Sequence, residues 1–128
     1  MRIIKSLFSA ATAAACALTC LSVSAKTILL VPQDNRPVSL AYTVSTAERA
    51  GYQVLTPPES ILSDSNYKGN ADRVWSWVED NISKSDAAIL STDTLIYGGL
   101  VDSRKHNESL ATLQSRENRI ELLHKNNP

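Results

Sequence analysis

Cysteine is scarce in this chain, and both residues of this type, Cys16 and Cys20, lie close to the N-terminus. The rest of the chain therefore has no thiol for a disulfide, a zinc thiolate site or a cysteine nucleophile. The chain also has no excess of either charge, because it has 13 basic and 13 acidic residues. Without a basic surplus the chain does not have the electrostatic pattern of a nucleic-acid-binding protein, and we expect no nucleic-acid partner.

Glycine-rich phosphate-binding motifs are absent as well. The chain has only four glycines, no GxGxxG follows its first apolar run, and no GxxxxGK[ST] occurs anywhere. Its two histidines, His106 and His124, are isolated in the sequence. A metal bound by Asp34, Asp93 and His106 is conceivable, but these residues do not have the spacing of a ligand motif. We therefore predict no cofactor and no metal site.

The N-terminus has the pattern of a secretory signal peptide. A basic start, MRIIK, precedes an uncharged stretch of apolar and small residues, and Val23-Ser24-Ala25 offers the small side chains that signal peptidase accepts. The stretch is short and rich in alanine for a membrane anchor. Acylation of Cys20 is a weaker alternative, because the preceding Thr19 is bulky for a lipoprotein signal. We predict a signal peptide over residues 1–25, cleavage after Ala25, a secreted or periplasmic location and no stable membrane span after cleavage.

The remaining residues, 26–128, are enough for one small domain with a hydrophobic core. Loss of Arg2 and Lys5 with the signal would leave 11 basic and 13 acidic residues, a net charge of about −2. The last residues, Asn126-Asn127-Pro128, are typical of a helix exit. We expect this segment to be the N-terminal part of a longer α/β domain.

Three repeats of one pattern organise that segment: a short apolar run, a polar loop and an amphipathic stretch. The apolar runs predict strands over residues 27–31, 52–55 and 87–90. The amphipathic stretches predict three helices, whose expected N-caps are Ser39, Asn70 and Asn107. This alternation predicts an α/β fold, an open and mostly parallel sheet with helices on both faces. The arrangement would be Rossmann-like or flavodoxin-like, with at least three βα units.

Within the second predicted helix, Val74, Trp75 and Val78 share one apolar face, whereas Trp77 points elsewhere. After the third strand, Ser91-Thr92-Asp93 predicts a polar turn. Gly51 is the expected stop of the first helix.

The residues that follow each strand are the candidates for function, because ligands of open parallel sheets bind beyond the carboxyl ends of the strands. Asp34 and Asp93 would stand at the same edge of the sheet and could divide acid and base roles, so they are the catalytic candidates. The candidates for substrate binding carry hydrogen-bonding side chains or allow close backbone approach. They are Asn35, Arg36, Tyr97, Gly98, Gly99, Ser103 and Arg104.

Structural alternatives stand beside each of these roles. Asp34 and Asp93 could be residues that hold a turn through their own side chains. Arg36 and Arg104 could be ion-paired to a loop aspartate. Tyr97 could be a buried anchor of its loop.

The sequence resembles a known family at these loops. The motifs are LLVPQDNRPVSL, TPPES and LSTDTLIYGGLVDSR, which resemble DUF4127, a bacterial family of proteins of unknown function. The matching positions are Asp34, Arg36, Pro37, Asp93, Leu95, Tyr97, Gly98, Gly99, Leu100, Ser103 and Arg104. The resemblance implies a chain several times longer than this one and no particular activity. Gln33 and Asn35 depart from the family pattern, which more usually has an acidic residue beside the aspartate.

From these features the leading hypothesis is an exported hydrolase that acts on a carbohydrate or another polyhydroxylated or anionic small molecule. The main alternative is a solute- or glycan-binding protein that uses the same loops without turnover, and a structural envelope protein is a third. The sequence leaves the oligomeric state open.

Overall fold

The computed structural model describes residues 24–128. The predicted signal peptide, residues 1–25, thus lies almost entirely outside the described residues. Three strands, β1 to β3, alternate with four α-helices, α1 to α4, in the described part of the chain. The strands are Thr27–Val31, Gln53–Leu55 and Ala87–Leu90, and the helices are Ala41–Arg49, Ala71–Asn81, Thr92–Tyr97 and Leu110–Asn126. Short 3₁₀ helices span Glu59–Ile61, Ile82–Lys84 and Asp102–Arg104.

The three strands form one parallel sheet in the order β2-β1-β3. In the central strand, Leu29 lies opposite Leu55 of β2 and Ala88 of β3. Parallel pairing places the carboxyl ends of all three strands at one edge. The predicted α/β fold with an open parallel sheet is confirmed.

Helices cover both faces of this sheet. Leu29 and Val31 point to one face, where they share the hydrophobic core with residues of α2 and α3, and Trp75 is fully buried there. Ile28 points to the other face, beside Thr43 and Ala47 of α1. That second face is only partly covered, since Ile89 of β3 is 56% exposed.

Most predicted element boundaries are confirmed. The predicted strands over 27–31 and 87–90 coincide with β1 and β3, and the second strand begins one residue later than predicted. The side chain of Asn70 caps α2 by accepting a hydrogen bond from the backbone N–H of Arg73 at 3.0 Å. Gly51 has a φ of 90° just after α1 ends, a conformation in which glycine avoids the strain that a side chain brings.

Two predicted caps and one predicted turn are wrong. Leu40 occupies the N-cap position of α1, because the carbonyl of Arg36 accepts the N–H groups of both Ser39 and Leu40 in a preceding turn. Ser109, not Asn107, caps α4 by accepting from the N–H of Thr112 at 3.1 Å.

The residues Ser91-Thr92-Asp93, predicted as a turn, begin α3 instead. The side chain of Ser91 accepts a hydrogen bond from the N–H of Thr94 at 3.4 Å and so caps this short helix. Thr94 and Leu95 are fully buried, which stabilises a six-residue helix that would be marginal in isolation.

No helix between residues 24 and 128 combines the length and the apolar character that a membrane crossing requires.

Candidate functional site

A cleft of about 540 Å³ lies at the carboxyl edge of the sheet, and we call it the carboxyl-edge cleft. The ends of β1 and β3 and the start of α1 form its walls. Its polar lining includes Gln33, Arg36, Ser39, Thr43, Thr92 and Asp93, and its apolar lining includes Leu30, Val38 and Ile89. The location is the one at which open parallel sheets bind ligands.

A buried hydroxyl fixes the position of the two loops that form this cleft. Thr94 is fully buried, and its Oγ1 donates a hydrogen bond of 2.6 Å to the carbonyl of Pro32. This bond joins the first turn of α3 to the loop after β1. Arg36 and Asp93, which are far apart in the sequence, both line the cleft beside this contact.

Both carboxylate oxygens of Asp34 contact Arg36 in the same loop. The residue is only 3% exposed, and its Oδ1 accepts the backbone N–H of Arg36 at 3.1 Å, which is the geometry of an Asx turn. Its Oδ2 accepts a hydrogen bond from Nε of the same arginine at 2.8 Å and forms an ion pair with Nη2 at 2.6 Å. Asp34 does not line the carboxyl-edge cleft, and this arrangement matches the structural alternative considered for it.

The electrostatics of the pair keep Asp34 ionised. Burial by itself would raise the pKa of this carboxyl, but hydrogen bonds from Arg36 and Ser39 outweigh burial and lower the pKa below its ordinary value of 3.8. A carboxylate of this kind has no proton to give at neutral pH. The ionised carboxylate of Asp34 therefore stabilises the position of the Arg36 side chain.

The stability of the protein should fall in acid as Asp34 gains a proton. Its pKa is lower in the folded state than in the unfolded state, so it stabilises the fold above the unfolded value, and this contribution is lost as the pH falls through the folded value. The loss should begin below about pH 4. We expect Asp34→Asn to cost about 1 to 2 kcal/mol at pH 7 and to reduce the pH dependence between pH 5 and 2.

Urea unfolding at a series of pH values measures this effect. Asp80→Asn is the matched control, because Asp80 is an exposed carboxylate on α2. Equal pH dependence in Asp34→Asn and the unchanged protein would contradict the assignment.

Arg36 combines its structural pairing with access to solvent. Its side chain is 48% exposed, and the hydrogen bond and charge of Asp34 raise the pKa of its guanidinium. Nε and Nη2 bind Asp34, whereas Nη1 makes no hydrogen bond to any residue between 24 and 128. Arg36 therefore offers the cleft a fixed donor whose positive charge is partly offset.

Asp93 is the free carboxylate of the cleft. It lies half-buried in the first turn of α3 and makes no hydrogen bond or ion pair with another described residue. Two of the nine candidate residues, Arg36 and Asp93, are thus brought together here. Thr43 and Thr92 were missed by sequence reasoning, although Ser39 and Thr43 are spaced four residues apart, as on one side of a helix.

The candidates at the end of α3 and just after it are outside the cleft lining and contact other loops. Gly98 has a φ of 100° and packs against the backbone of Gly69, and Gly99 packs against Ser63. The ring of Tyr97 lies against that of His106, with 4.8 Å between centroids.

The last three candidates are also outside the cleft lining. The N–H of Asn35 donates to the carbonyl of Ser63 at 2.9 Å, and Ser103 Oγ donates to the carbonyl of Leu100 at 2.7 Å. Arg104 is exposed at the end of a 3₁₀ helix. No role in ligand binding follows from these contacts.

A buried arginine joins the three helices on the core side. Arg116 of α4 is 7% exposed, and it binds both carboxylate oxygens of Asp72 on α2 at 3.2 and 3.0 Å. Its Nη1 donates to the carbonyl of Ile96 on α3 at 2.7 Å. With its donors satisfied in this way, Arg116 serves the packing of α2, α3 and α4.

Within residues 24–128, no group of three histidine, cysteine or acidic side chains is placed to hold a metal ion.

The fold and the cleft define a parallel α/β domain with a ligand-sized cleft at the carboxyl edge of its sheet. The family model described as "Protein of unknown function (DUF4127)" matches residues 28–128. The chain belongs to this family, so the resemblance found in its loop motifs is confirmed. No curated protein and no solved structure matches it.

Proposed function

We propose that this chain is an exported protein that binds a polyhydroxylated small molecule, foremost a carbohydrate, in the carboxyl-edge cleft. The observation that carries the proposal is that Asp93 and Arg36 line one cleft. Among residues 24–128, neither the carboxylate of Asp93 nor Nη1 of Arg36 has a hydrogen-bond partner. The N-terminal signal pattern supports an exported location.

The chemistry of the lining suits sugar hydroxyls. A hydroxyl both donates and accepts, so it can donate to the carboxylate of Asp93 and accept from Arg36. Ser39, Thr43 and Thr92 add hydroxyl partners, while Leu30 and Ile89 offer apolar surface to the C–H groups of a sugar ring. Because Asp34 offsets the charge of Arg36, the cleft favours an uncharged polyol over a strongly anionic ligand.

Hydrolysis of the bound molecule is the second candidate, and it rests on Asp93. Glycoside hydrolysis generally uses two carboxyl groups, and Asp34 is committed to Arg36. Asp93 is the residue able to serve as a general base or nucleophile in this cleft, and Arg36 is able to stabilise negative charge that develops on the substrate. A receptor without turnover would use the same two residues for binding alone.

The test is the effect of Asp93→Asn on carbohydrate binding. We expect about a tenfold to hundredfold loss of affinity, because a charge-assisted hydrogen bond contributes about 1.5 to 3 kcal/mol. Asp80→Asn, the same change at an exposed position on α2, should bind as the unchanged protein does. Binding would be found on an array of mono- and oligosaccharides and measured by calorimetry.

Two outcomes of that experiment separate the candidates. Release of shorter sugars by the unchanged protein but not by Asp93→Asn would establish hydrolysis, and binding without products would establish a receptor. Equal affinity of Asp93→Asn and the unchanged protein would rule out the carboxyl-edge cleft as the site.

A further inference from the structure

A second concave surface lies on the same face of the sheet as the carboxyl-edge cleft, and we call it the tyrosine groove. It has a volume of about 440 Å³. Its lining includes Tyr42, Tyr52, Thr43, Thr46, Ile28 and Ala47. No charged side chain is among the described residues that line it.

Both tyrosines of the groove are open to solvent. Tyr42 is 64% exposed and Tyr52 is 41% exposed. Aromatic residues are scarce in the chain, at 5% of its residues. Each presents an apolar ring together with a hydroxyl. A sugar ring has the complementary character, with C–H groups on its faces and hydroxyls around its edge.

The tyrosine groove is continuous with the carboxyl-edge cleft. Thr43 lines both of them. Ile28 in the groove and Leu30 in the cleft are successive residues on one face of β1, about 7 Å apart in an extended strand. A ligand held by Arg36 and Asp93 can therefore extend along α1 toward the tyrosines.

We propose that the tyrosine groove is an extension subsite for a glycan chain whose end lies in the carboxyl-edge cleft. This inference rests on the proposed carbohydrate binding. It specifies the ligand as an oligosaccharide of two or more rings rather than a monosaccharide. The rings in the groove are uncharged sugars, because the groove offers no charged partner and stacks their apolar faces on Tyr42 and Tyr52.

The experiment compares affinity with chain length in the purified protein. The probes are mono-, di-, tri- and tetrasaccharides of β-1,4-linked and α-1,4-linked glucose and of N-acetylglucosamine, titrated by calorimetry. We expect affinity to rise with length by about tenfold in the unchanged protein. Tyr42→Ala and Tyr52→Ala should each reduce the affinity for the longer sugars by about fivefold to tenfold and leave monosaccharide affinity unchanged.

Matched variants distinguish stacking from a general loss of structure. Tyr67→Ala removes a tyrosine that is 73% exposed but lines neither surface, and it should bind every probe as the unchanged protein does. Tyr42→Phe retains the ring and should retain most of the gain with length. Thermal melting of the Tyr42 and Tyr67 variants is expected to be unchanged, because both residues are largely exposed in the folded state.

Several outcomes would overturn the inference. If affinity does not depend on chain length, or if Tyr42→Ala and Tyr52→Ala bind the longer sugars normally while Asp93→Asn does not, the groove is not a subsite but the proposed function stands. A change of oligomeric state in Tyr42→Ala, seen by sedimentation, would instead identify the groove as a contact between copies of the chain. Failure of every sugar to bind the unchanged protein would overturn the proposed function and the inference together.

Discussion

Replacing Trp75 by alanine should lower the free energy of unfolding by about 3 to 5 kcal/mol. The indole is fully buried in the core beside Leu29 and Val78. Its Nε1 donates a hydrogen bond of 2.8 Å to the carbonyl of Leu95, and the guanidinium carbon of Arg119 lies 4.6 Å from the ring centroid. The substitution would therefore create a large cavity and leave a buried carbonyl without its donor.

Urea unfolding followed by circular dichroism measures this loss, and Trp77→Ala is its control. Trp77 belongs to the same helix, but it is only partly buried at the margin of the core. Its replacement should cost about 1 to 2 kcal/mol, since less apolar surface is lost. Similar losses of stability at the two positions would contradict the burial of Trp75, rather than Trp77, in the core.

The contrast between the two tryptophans could be predicted from the sequence. In α2 the spacing of Val74, Trp75 and Val78 matches the helical period, and these residues do form the buried face. The strands over 27–31 and 87–90 were predictable for a similar reason, since each is a short apolar run bounded by polar residues. Features that follow from the spacing of residues close together in the sequence were therefore predicted correctly.

The sequence could not show which of two nearby residues caps a helix. Asn107 and Ser109 are both good N-cap residue types, so propensity alone does not select the start of α4. Glu108 between them forms an ion pair of 3.1 Å with Lys68, a residue of a distant loop. A contact of this range has no signature in the local sequence.

The candidate site was predictable in its location but not in its membership. The predicted parallel sheet placed the residues after each strand, Arg36 and Asp93 among them, at one edge. That β1 and β3 are neighbours is shown by the structure, in which the strand order is β2-β1-β3. The sequence left open whether Asp34 faces a ligand or holds its own turn and Arg36, and the structure has the second arrangement. Ser39 lies in the turn before α1 and Thr43 lies in α1, and neither was among the candidate site residues.

Gly98→Ala is expected to be the other severe substitution, with a loss of about 2 to 5 kcal/mol. Gly98 ends α3 with a φ of 100°, which is strained for a residue with a side chain. A Cβ at this position would also lie 2.6 Å from the carbonyl oxygen of Gly69, a backbone atom that cannot move aside without shifting its loop. Strain and overlap therefore act together at this position.

The variant Gly51→Ala separates backbone strain from steric overlap and is the comparison for Gly98→Ala. Gly51 has a φ of 90°, but a Cβ there would meet no atom within 4 Å, so only the backbone strain of about 1 to 2 kcal/mol applies. Chemical denaturation of both variants should show a larger loss for Gly98→Ala, and the difference measures the close approach of the two loops. If both variants lose the same amount, Gly98 is needed for its φ alone. In that event the Gly98-Gly99 pair of the family motif would be free for the ligand role predicted from the sequence. A clearly larger loss at Gly98 assigns the pair to holding the loop after α3 against the loop before α2.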